Sequence, residues 1–418
     1  MRLSRRRKKI RPRFWVVAGV LATALVLLSV FWLFPGLMPG ESLPGQTETT
    51  ADPPPPATPP IELSFLCVGD IMVHRPQIAS QYDEASQSYN YDNNFEYVRP
   101  IIESVDLALG NVETTFAGGK PSGYPVFNAP DALAQAIRNA GFDVALTSNN
   151  HLFDTGLAGL KRTLQILRDT GLLTTGTRLP EEKNYLLTKV KGVPVGIVAY
   201  TYRTPSFNGY PTINSAVLSE EAASLINSFG FERFDEDMAE VAATIQAAKA
   251  DGAGLIICYF HWGEEYQRSP NKWQMENAKQ AADAGADIIF ASHPHVLQPI
   301  DMISAADGRQ VPVFYSLGNF LSNQRQETLG NRYTEQGMLG RVRLTYDPAT
   351  GTISGLKADA MGSWVDKYRA GGKDVYAIVP LDQNYRQNQA LATSGHLGRA
   401  AQAEQDIEQL IGTDYIWK

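Results

Sequence analysis

Short apolar runs alternate with segments of helical apolar spacing from residue 61 onwards, and this alternation constrains the fold more than any other feature. Helices that connect successive apolar strands are typical of βαβ units, so the pattern predicts an α/β fold. The predicted strands are IELSFLCVG, DLALGN, DVALTSNN, VPVGIVAY, GLIICYF, ADIIFASH and VPVFYSLGN, and the predicted helices are residues 131–141, 156–170, 234–250 and 271–285. We assign residues 61–345 to one domain. A C-terminal extension over residues 346–418 is predicted to hold a β-hairpin around Asp347–Gly351 and a helix near residues 398–411.

The N-terminus combines a basic segment with a long uncharged one. Residues 1–13 hold eight Lys or Arg and no acid, and residues 14–34 are 21 residues without a charge. At about 1.5 Å per helical residue this stretch spans about 30 Å, the thickness of the bilayer's hydrocarbon core. The sequence therefore predicts a single-pass anchor in the cell membrane, with the basic segment cytoplasmic and the domain extracellular. A cleaved signal peptide is the rival interpretation, but its apolar region would be shorter and would end in small residues rather than in Trp32 and Phe34.

Composition narrows the partners that this chain could have. Residues 35–60 are rich in Pro, Gly, Thr and Ser and predict a semi-rigid linker. Outside residues 1–13 the chain carries 29 Lys and Arg against 44 Asp and Glu. Phosphate binding needs a basic surface, so nucleic acid is disfavoured as a partner.

Two cysteines, Cys67 and Cys258, each lie in an apolar strand just before a polar motif. We expect two buried thiols that pack as small hydrophobic side chains. A disulfide between neighbouring strands is the alternative, although two cysteines do not make the framework that small secreted domains use.

Five of the six histidines lie in short polar motifs at the ends of predicted strands. Ligands bind beyond the carboxyl ends of strands in open α/β sheets, and histidine is the commonest metal ligand. The pattern therefore predicts a metal-assisted hydrolytic site. The motifs are VGDIMVHRP, GNVE, TSNNHLFDTG, HWGEEY and SHPH.

The first two motifs supply carboxylates. Asp70 follows Gly69, which permits a tight exit from the strand, and it is a candidate metal ligand together with His74; the alternative is that Asp70 caps a turn. Asn111 and Glu113 are two residues apart, so in an extended segment they point to one side. Glu113 could bridge two metals and Asn111 could contact substrate, although both could also be solvated loop residues.

The third motif joins a strand to a helix through a polar turn. Asn150 could ligate a metal through its amide oxygen, and His151 could protonate a leaving group. Asp154 could orient His151, or it could cap the helix that follows.

The last motifs contain the histidines that are the strongest candidate ligands. His261 directly follows the strand GLIICYF, with a buried structural histidine as the alternative. Pro294 biases His293 towards an extended backbone, so His293 and His295 are predicted to share a side and to serve one ion each of a metal pair. Mixed His, Asp, Asn and Glu ligands suit Mn, Fe and Zn alike.

Further polar residues near the motifs are candidate substrate contacts. Asn319 lies in YSLGNF, which we interpret as a turn that closes the pocket, and Arg75, Arg325 and Arg332 lie near motifs and could pair with carboxylates of an anionic polymer. The full set of predicted substrate contacts is Arg75, Asn111, Glu264, Gln298 and Asn319. The sequence has no G-x-S-x-G elbow and no Walker loop.

Together the motifs GDIM, GNVE, SNNHLFDTG, HWGEEY, SHPH and YSLGNF closely resemble the CapA family of poly-γ-glutamate capsule biosynthesis proteins over about residues 61–325. That family is in turn similar to the calcineurin-like metallophosphoesterases, which implies a four-layer α/β/β/α sandwich with two divalent metal ions. The resemblance implies metal contacts from Asp70, Glu113, Asn150, His261, His293 and His295, and an acid role for His151.

Two departures from the metallophosphoesterase pattern concern the metal-bridging part of the site. Those enzymes begin with Asp-x-His, whereas here a histidine follows Asp70 only at His74. They also carry an Asp where this chain has Asn111 with Glu113 behind it. The leading hypothesis is a surface-anchored metal-dependent hydrolase of poly-γ-glutamate or a similar anionic polymer. The alternatives are a phosphoester hydrolase and a non-catalytic subunit of a membrane polymer synthase or exporter.

Overall fold

The computed structural model describes residues 59–417. The predicted basic segment (1–13), the predicted anchor (14–34) and nearly all of the predicted linker lie outside the described residues. Within residues 59–417, no helix is long and apolar enough to cross a membrane.

Eight strands form the first sheet. Numbered in chain order, they are β1 (Ile61–Ile71), β4 (Leu107–Val112), β5 (Val144–Leu146), β6 (Leu173–Thr175), β17 (Asn319–Leu321), β18 (Gln336–Asp347), β19 (Thr352–Ala370) and β20 (Lys373–Pro380). The order of seven of them is β20-β19-β18-β1-β4-β5-β6. The short strand β17 pairs with the end of β1, at Asp70 and Ile71. The run β1-β4-β5-β6 is parallel, and β18, β19 and β20 add antiparallel strands.

Seven strands form the second sheet. They are β7 (Leu186–Val190), β8 (Val193–Tyr202), β12 (Ser228–Phe229), β13 (Leu255–His261), β14 (Ile288–Ser292), β15 (Ile300–Ser304) and β16 (Gln310–Phe314). Their order is β12-β8-β13-β14-β16-β15, with β7 on β8. Two small sheets complete the strands: β2 (Tyr82–Asp83) with β3 (Ser88–Tyr89), and β9 (Thr204–Phe207), β10 (Tyr210–Ile213) and β11 (Ala216–Val217).

The helices connect the strands and cover the sheets. They are α1 (Arg75–Gln81), α2 (Asp92–Phe95), α3 (Arg99–Ile102), α4 (Ala132–Asn139), α5 (Gly156–Asp169), α6 (Glu220–Ser224), α7 (Phe234–Ala250), α8 (Lys272–Ala284), α9 (Gln326–Leu329), α10 (Gln389–Ser394) and α11 (Leu397–Ile411), with 3₁₀ turns at Arg332–Glu335, Tyr385–Gln387 and Thr413–Tyr415.

Local chemistry explains where a predicted helix such as α8 begins and ends. The Asn271 side chain accepts a hydrogen bond from the backbone N–H of Gln274, whose own side chain accepts from the Asn271 N–H, so the two form a capping box. The helix ends at Gly285, whose φ of 113° lies in the left-handed region that glycine adopts at low cost. The sequence therefore specifies both ends of the helix.

Alternating side chains divide the interior into layers. On β1, Phe65 and Cys67 point into a core that they share with Ile257 and Tyr259 of β13, so this core lies between the two sheets. Leu66 of β1 packs instead in a second cluster with helices such as α4, and the outer face of the second sheet packs against α7 and α8. The order helix, sheet, sheet, helix confirms the predicted four-layer α/β/β/α sandwich.

The cysteines occupy two different layers. Cys67 lies between the sheets and Cys258 lies under the helices of the second sheet, and both are free and buried. Burial raises the pKa of both thiols. The prediction of two packed thiols is confirmed, and the disulfide alternative is wrong.

The C-terminal residues build on the first sheet. The predicted hairpin is present, since β18 and β19 pair antiparallel with Asp347 opposite Thr352. β19 and β20 widen the first sheet, and α10 and α11 pack into the inter-sheet core through Leu391 and Ile407. Residues 346–418, predicted as an extension, therefore share a sheet and a core with residues 61–345.

Strand direction brings the polar motifs together. Asp70 of β1 stands beside Asn111 of β4 in a parallel pair, and Asn111 stands beside Leu146 of β5. In the second sheet His261 of β13 stands beside Ser292 of β14. The carboxyl ends of these parallel strands therefore carry the motifs to one edge of the sandwich.

Candidate metal centre

Asp70 is held in place by a very close approach of two backbones. A Cβ atom on Gly69 would lie 1.9 Å from the carbonyl oxygen of Gly318, so only glycine fits there. The neighbouring Asp70 N–H donates to that same Gly318 oxygen at 3.0 Å. The fully buried Asp70 carboxylate accepts from Asn111 Nδ2 at 2.8 Å and lies 3.0 Å from His295 Nδ1. Asp70 is thus an oriented acid and not a turn cap facing solvent.

Asn111 of β4 and Glu113, which directly follows this strand, lie beside Asp70. Glu113 is fully buried, and its Oε1 atom has no hydrogen-bond partner. Asn111 Nδ2 lies 3.5 Å from Glu113 Oε2 and 3.4 Å from His261 Nδ1, and Asn111 Oδ1 accepts from Asn149 Nδ2 at 3.2 Å. The Asn111 amide is therefore placed to orient buried acids and an imidazole, and its contact with substrate stays a prediction.

The three strand-end histidines come together beside the acids. His261 Nε2 lies 2.9 Å from Asn150 Oδ1 and 3.7 Å from Glu113 Oε1. The rings of His261 and His293 are 4.8 Å apart between centroids, and the rings of His293 and His295 are 5.9 Å apart. The Nδ1 atom of the buried His293 has no hydrogen-bond partner. Residues far apart in sequence thus share one buried pocket.

The backbone of the His-Pro-His motif is not extended as predicted. His293 has φ of 108° and His295 has φ of 57°, values that non-glycine residues rarely adopt. The Tyr266 N–H donates to Pro294 O at 2.7 Å, and Asn319 Nδ2 donates to His295 O, so neighbouring loops hold this conformation. Such local strain typically accumulates at functional sites.

The donor atoms fit divalent metal ions. Ligand atoms of Asp70, Glu113 and His295 lie within 4.8 Å of one another. The two orphaned atoms, Glu113 Oε1 and His293 Nδ1, lack the partners that buried polar atoms ordinarily have, and a cation would satisfy both. Carboxylate and imidazole donors together suit Mn, Fe or Zn.

The electrostatics of the centre agree with metal binding. Burial, followed by the charge of Asp70, raises the pKa of Glu113 well above its ordinary value. Burial lowers the pKa of His261 to about 3 and that of His293 well below its ordinary value, so both imidazoles are neutral. Burial opposes ionisation of Asp70 and His295, but their mutual hydrogen bond and charges prevail, lowering the pKa of Asp70 and raising that of His295.

A histidine and a carboxylate beside the centre form a hydrogen-bonded pair. His151 Nδ1 lies 2.8 Å from Asp154 Oδ2, and the same carboxylate oxygen accepts the Phe127 N–H at 2.7 Å. Because a carboxylate only accepts, Nδ1 of His151 carries the hydrogen and Nε2 remains available. Helix α5 has Thr155 at its N-cap without a side-chain bond, so Asp154 orients His151 and does not cap the helix.

A cavity of about 420 Å³ adjoins the centre. It is lined by Met72, His74, Tyr124, Phe127, His151, Glu265, Tyr266, His295, Asn323, Gln324, Thr328 and Leu329. Deeper in the pocket, the Tyr202 ring lies 4.7 Å from that of His293 and stacks at 6.5 Å on His261. The sequence analysis missed Tyr202 and most of this aromatic lining; the only signal for Glu265 and Tyr266 was their place in HWGEEY.

Comparison with known proteins assigns the family. The model of the bacterial capsule synthesis proteins, PGA_cap, matches residues 64–324, more than half of the chain. The chain belongs to the bacterial capsule synthesis protein family. The family resemblance predicted from the motifs is confirmed.

Relatives of this family member include two Bacillus proteins. The capsule biosynthesis protein CapA of Bacillus anthracis is 30% identical over 271 residues, covering 63% of this chain and 60% of the relative. The PGA biosynthesis protein CapA of Bacillus subtilis is 28% identical over 314 residues, covering 72% and 75%. The first match thus spans less than two thirds of its relative. Among solved structures, the calcineurin-like phosphoesterase YfkN of Bacillus subtilis aligns with a TM-score of 0.40 at 16% identity, covering 83% of this chain and 100% of that one.

Two predicted residues of this family member differ in their distance from the donor group. His74 lines the cavity at the edge of Phe127, 5.1 Å between ring centroids, and the acid and imidazole group within 4.8 Å does not include it. Asn319 lies against the centre, but its Oδ1 faces His295 Nδ1 at 3.2 Å and its Nδ2 bonds three oxygens. His74 is thus a cavity residue and Asn319 a positioning residue.

The remaining predicted contacts lie outside the cavity lining. Gln298 is fully buried, and its amide bonds Gln274 and the backbone oxygens of Gln267 and Ser269, so it braces a loop. Glu264 and Arg75 are exposed, and neither lines the cavity.

Two predicted arginines are engaged within the fold to different degrees. Arg325 is buried against Glu335 at 3.3 Å, so its predicted pairing with substrate carboxylates is wrong. Arg332 holds Asp406 through two bonds of 2.8 and 3.0 Å, but its side chain is 44% exposed, so its pairing with a polymer stays a prediction.

Proposed function

We propose that this chain is a metal-dependent hydrolase of poly-γ-glutamate or a similar anionic amide polymer. The observation that carries the proposal is the pair of orphaned buried atoms, Glu113 Oε1 and His293 Nδ1, beside the Asp70, Glu113 and His295 group. Support for the substrate comes from the family match and from the names of the two Bacillus relatives.

Six side chains would hold two divalent ions: Asp70, Glu113, Asn150, His261, His293 and His295. When bound, such ions supply an acidified water as nucleophile and polarise the scissile carbonyl. The protein contributes a low-dielectric setting, since all six side chains are buried. Asn111 fixes the spacing of two acids through its hydrogen bonds to Asp70 and Glu113.

His151 would protonate the amine that leaves when the amide breaks. Its Nδ1–H is bonded to Asp154, so the ring keeps one orientation and one tautomer with Nε2 available for proton transfer. Phe127 restrains the same pair twice, through its N–H to Asp154 and through its ring, which lies edge-on to His151 at 4.6 Å.

The membrane location belongs to the same proposal. It rests on the uncharged residues 14–34 and the basic residues 1–13, which together favour a single-pass anchor with the domain outside the cell. Association with a membrane polymer synthase would follow from such an anchor.

The test uses the full-length chain supplied in turn with Mn²⁺, Zn²⁺ and Fe²⁺ and incubated with poly-γ-glutamate. We expect the polymer to shorten with at least one metal and to remain intact with the His293→Ala variant. Polymer that keeps its length with all three metals would overturn the proposal. Turnover of a chromogenic phosphodiester without polymer cleavage would assign the site to phosphoester hydrolysis instead.

A cellular test separates the enzyme from a non-catalytic subunit. If His151→Ala and His261→Ala leave polymer length and output unchanged while deletion of residues 1–34 abolishes output, the chain serves the synthase without catalysis. We expect instead that the two histidine variants change the length of the polymer that cells release.

A further inference from the structure

Away from the metal centre, the cavity offers little to attract a polymer of carboxylates. Among the described residues that line it, there is no Lys or Arg, and Glu265 is the only carboxylate. Burial lowers the pKa of His74 to about 4, so that imidazole adds no charge. The wall that carries Glu265, as distinct from His295 and the metal ligands, therefore favours a cation over an anion.

Two tyrosine rings line the same cavity as this carboxylate. Tyr124 is 68% exposed and lies 6.4 Å from Phe127 between ring centroids, so it projects from one wall of the cavity. Tyr266 is 38% exposed and lies 6.3 Å from His295, so it covers the metal centre from another wall. Aromatic faces attract ammonium groups through the negative potential of the ring.

The backbone places Glu265 and Tyr266 there at a conformational cost. Tyr266 has φ of 65°, a left-handed value that is unusual for an aromatic residue, and its N–H donates to Pro294 O at 2.7 Å. Burial and the neighbouring Glu265 carboxylate raise the pKa of Tyr266 to about 12, so the phenol stays neutral. The loop is thus tied to the His-Pro-His motif of the metal centre.

A γ-glutamyl chain has a carboxylate on every residue and a single ammonium group at its amino end. The interior of the chain would bring carboxylates against Glu265, and like charges repel. The amino end would bring an ammonium group to Glu265 and the tyrosine rings, where charge-assisted hydrogen bonds form. The geometry points to Glu265, with Tyr124 and Tyr266, as the group that selects the amino end of a γ-glutamyl chain, an inference that rests on the proposed function.

This selection makes the enzyme act from the chain end. Water adds across the first γ-amide, the carbonyl carbon to nitrogen bond breaks, and the carbonyl side leaves as free glutamate with its original ammonium group. The nitrogen of the next residue takes a proton and becomes the new amino end. The shortened chain can then bind in the same way.

The experiment measures binding by calorimetry to the full-length, Mn²⁺-supplied chain. The probes are a short γ-glutamyl oligomer with a free amino end and the same oligomer with an acetylated amino end. We expect the free oligomer to bind roughly tenfold more tightly to the wild-type chain, as for an ammonium group between a carboxylate and aromatic rings. Glu265→Gln should abolish this preference, whereas the adjacent and exposed Glu264→Gln should keep it.

Equal binding of the two oligomers, no binding of either, or a preference that survives Glu265→Gln would overturn the inference. A preference that depends on Glu265 without any polymer cleavage would uphold the end selection and overturn the proposed hydrolysis. Cleavage that yields mid-sized fragments rather than free glutamate would uphold the hydrolysis and overturn the end selection.

Discussion

Gly69 and Gly318 pass so close to each other that a Cβ atom on Gly69 would lie 1.9 Å from the Gly318 oxygen. This contact joins the end of β1 to the turn before β17, and the next N–H, of Asp70, donates to the same oxygen. A backbone oxygen has little freedom to move aside, so the acid's position depends on this glycine.

Gly69→Ala should therefore destabilise the fold by about 1–3 kcal/mol or more, as overpacking of a tight interior does. Urea unfolding monitored by tryptophan fluorescence measures the loss. Gly398→Ala is the matched control, because no atom lies within 4 Å of its added Cβ and it stands in helix α11. That change should stabilise the fold by about 0.5–1 kcal/mol. Equal stability of wild type and Gly69→Ala would refute the assigned role.

The separation of His74 from the donor group gives a prediction about metal content. His74→Ala should keep the metal content of the wild-type chain, because its ring faces Phe127 and the Gln77 side chain. His261→Ala should lose metal, because it removes a buried donor 3.7 Å from Glu113. Elemental analysis of the purified variants measures both. Metal loss in His74→Ala would restore that residue to the ligand set.

Metal affinity should rise with pH. The raised pKa values of Glu113 and His295 mean that both groups hold protons at pH values where their exposed counterparts would have lost them. A metal must displace those protons, so affinity should increase about tenfold per pH unit for each proton released. Calorimetry in two buffers of different ionisation enthalpy counts the protons.

The Glu113→Gln variant distinguishes the release of the Glu113 proton from a general sensitivity of the protein to acid. The variant should release fewer protons on binding metal, and its affinity should be lower, whereas Glu264→Gln should behave as the wild type. Proton release that is unchanged in Glu113→Gln would contradict the assignment of the buried proton.

Asp154→Asn should lower the rate of amide hydrolysis by roughly a hundredfold, the usual scale of a lost acid or base contribution. The amide no longer fixes the Nδ1–H tautomer of His151, so the rate falls while substrate binding is retained. Steady-state kinetics separate kcat from KM. Asp169→Asn, in the last turn of α5, is the control and should leave the rate unchanged. A rise in KM with an unchanged kcat would argue against a role of this pair in proton transfer.

The sequence predicted the α/β fold and the clustering of the motifs because both follow from local patterns, whereas the four layers were predicted from the family resemblance. Apolar runs such as GLIICYF and the capped helix α8 carry their own boundaries. The edge at which Asp70, Glu113, His261 and His295 meet follows from strand direction alone. Strand positions, helix ends and strand directions can be inferred from the order of residues along the chain.

The errors arose where side-chain direction depends on tertiary contacts. Nothing in the motif HWGEEY distinguishes Glu264 from Glu265, and only the structure shows that Glu265 lines the cavity beside a left-handed Tyr266. Arg325 was predicted as a substrate contact, but Glu335, in the 3₁₀ turn that follows, neutralises it. His293 departs from the extended backbone expected before proline because neighbouring loops hold it there.

Anomalous diffraction from crystals of the metal-supplied chain, recorded at the absorption edges of Mn, Fe and Zn, tests the central claim most directly. We predict two anomalous peaks within bonding distance of the buried donors Asp70, Glu113, Asn150, His261, His293 and His295. Crystals in which these side chains keep their positions with no anomalous peak among them would contradict the metal centre and the chemistry built on it.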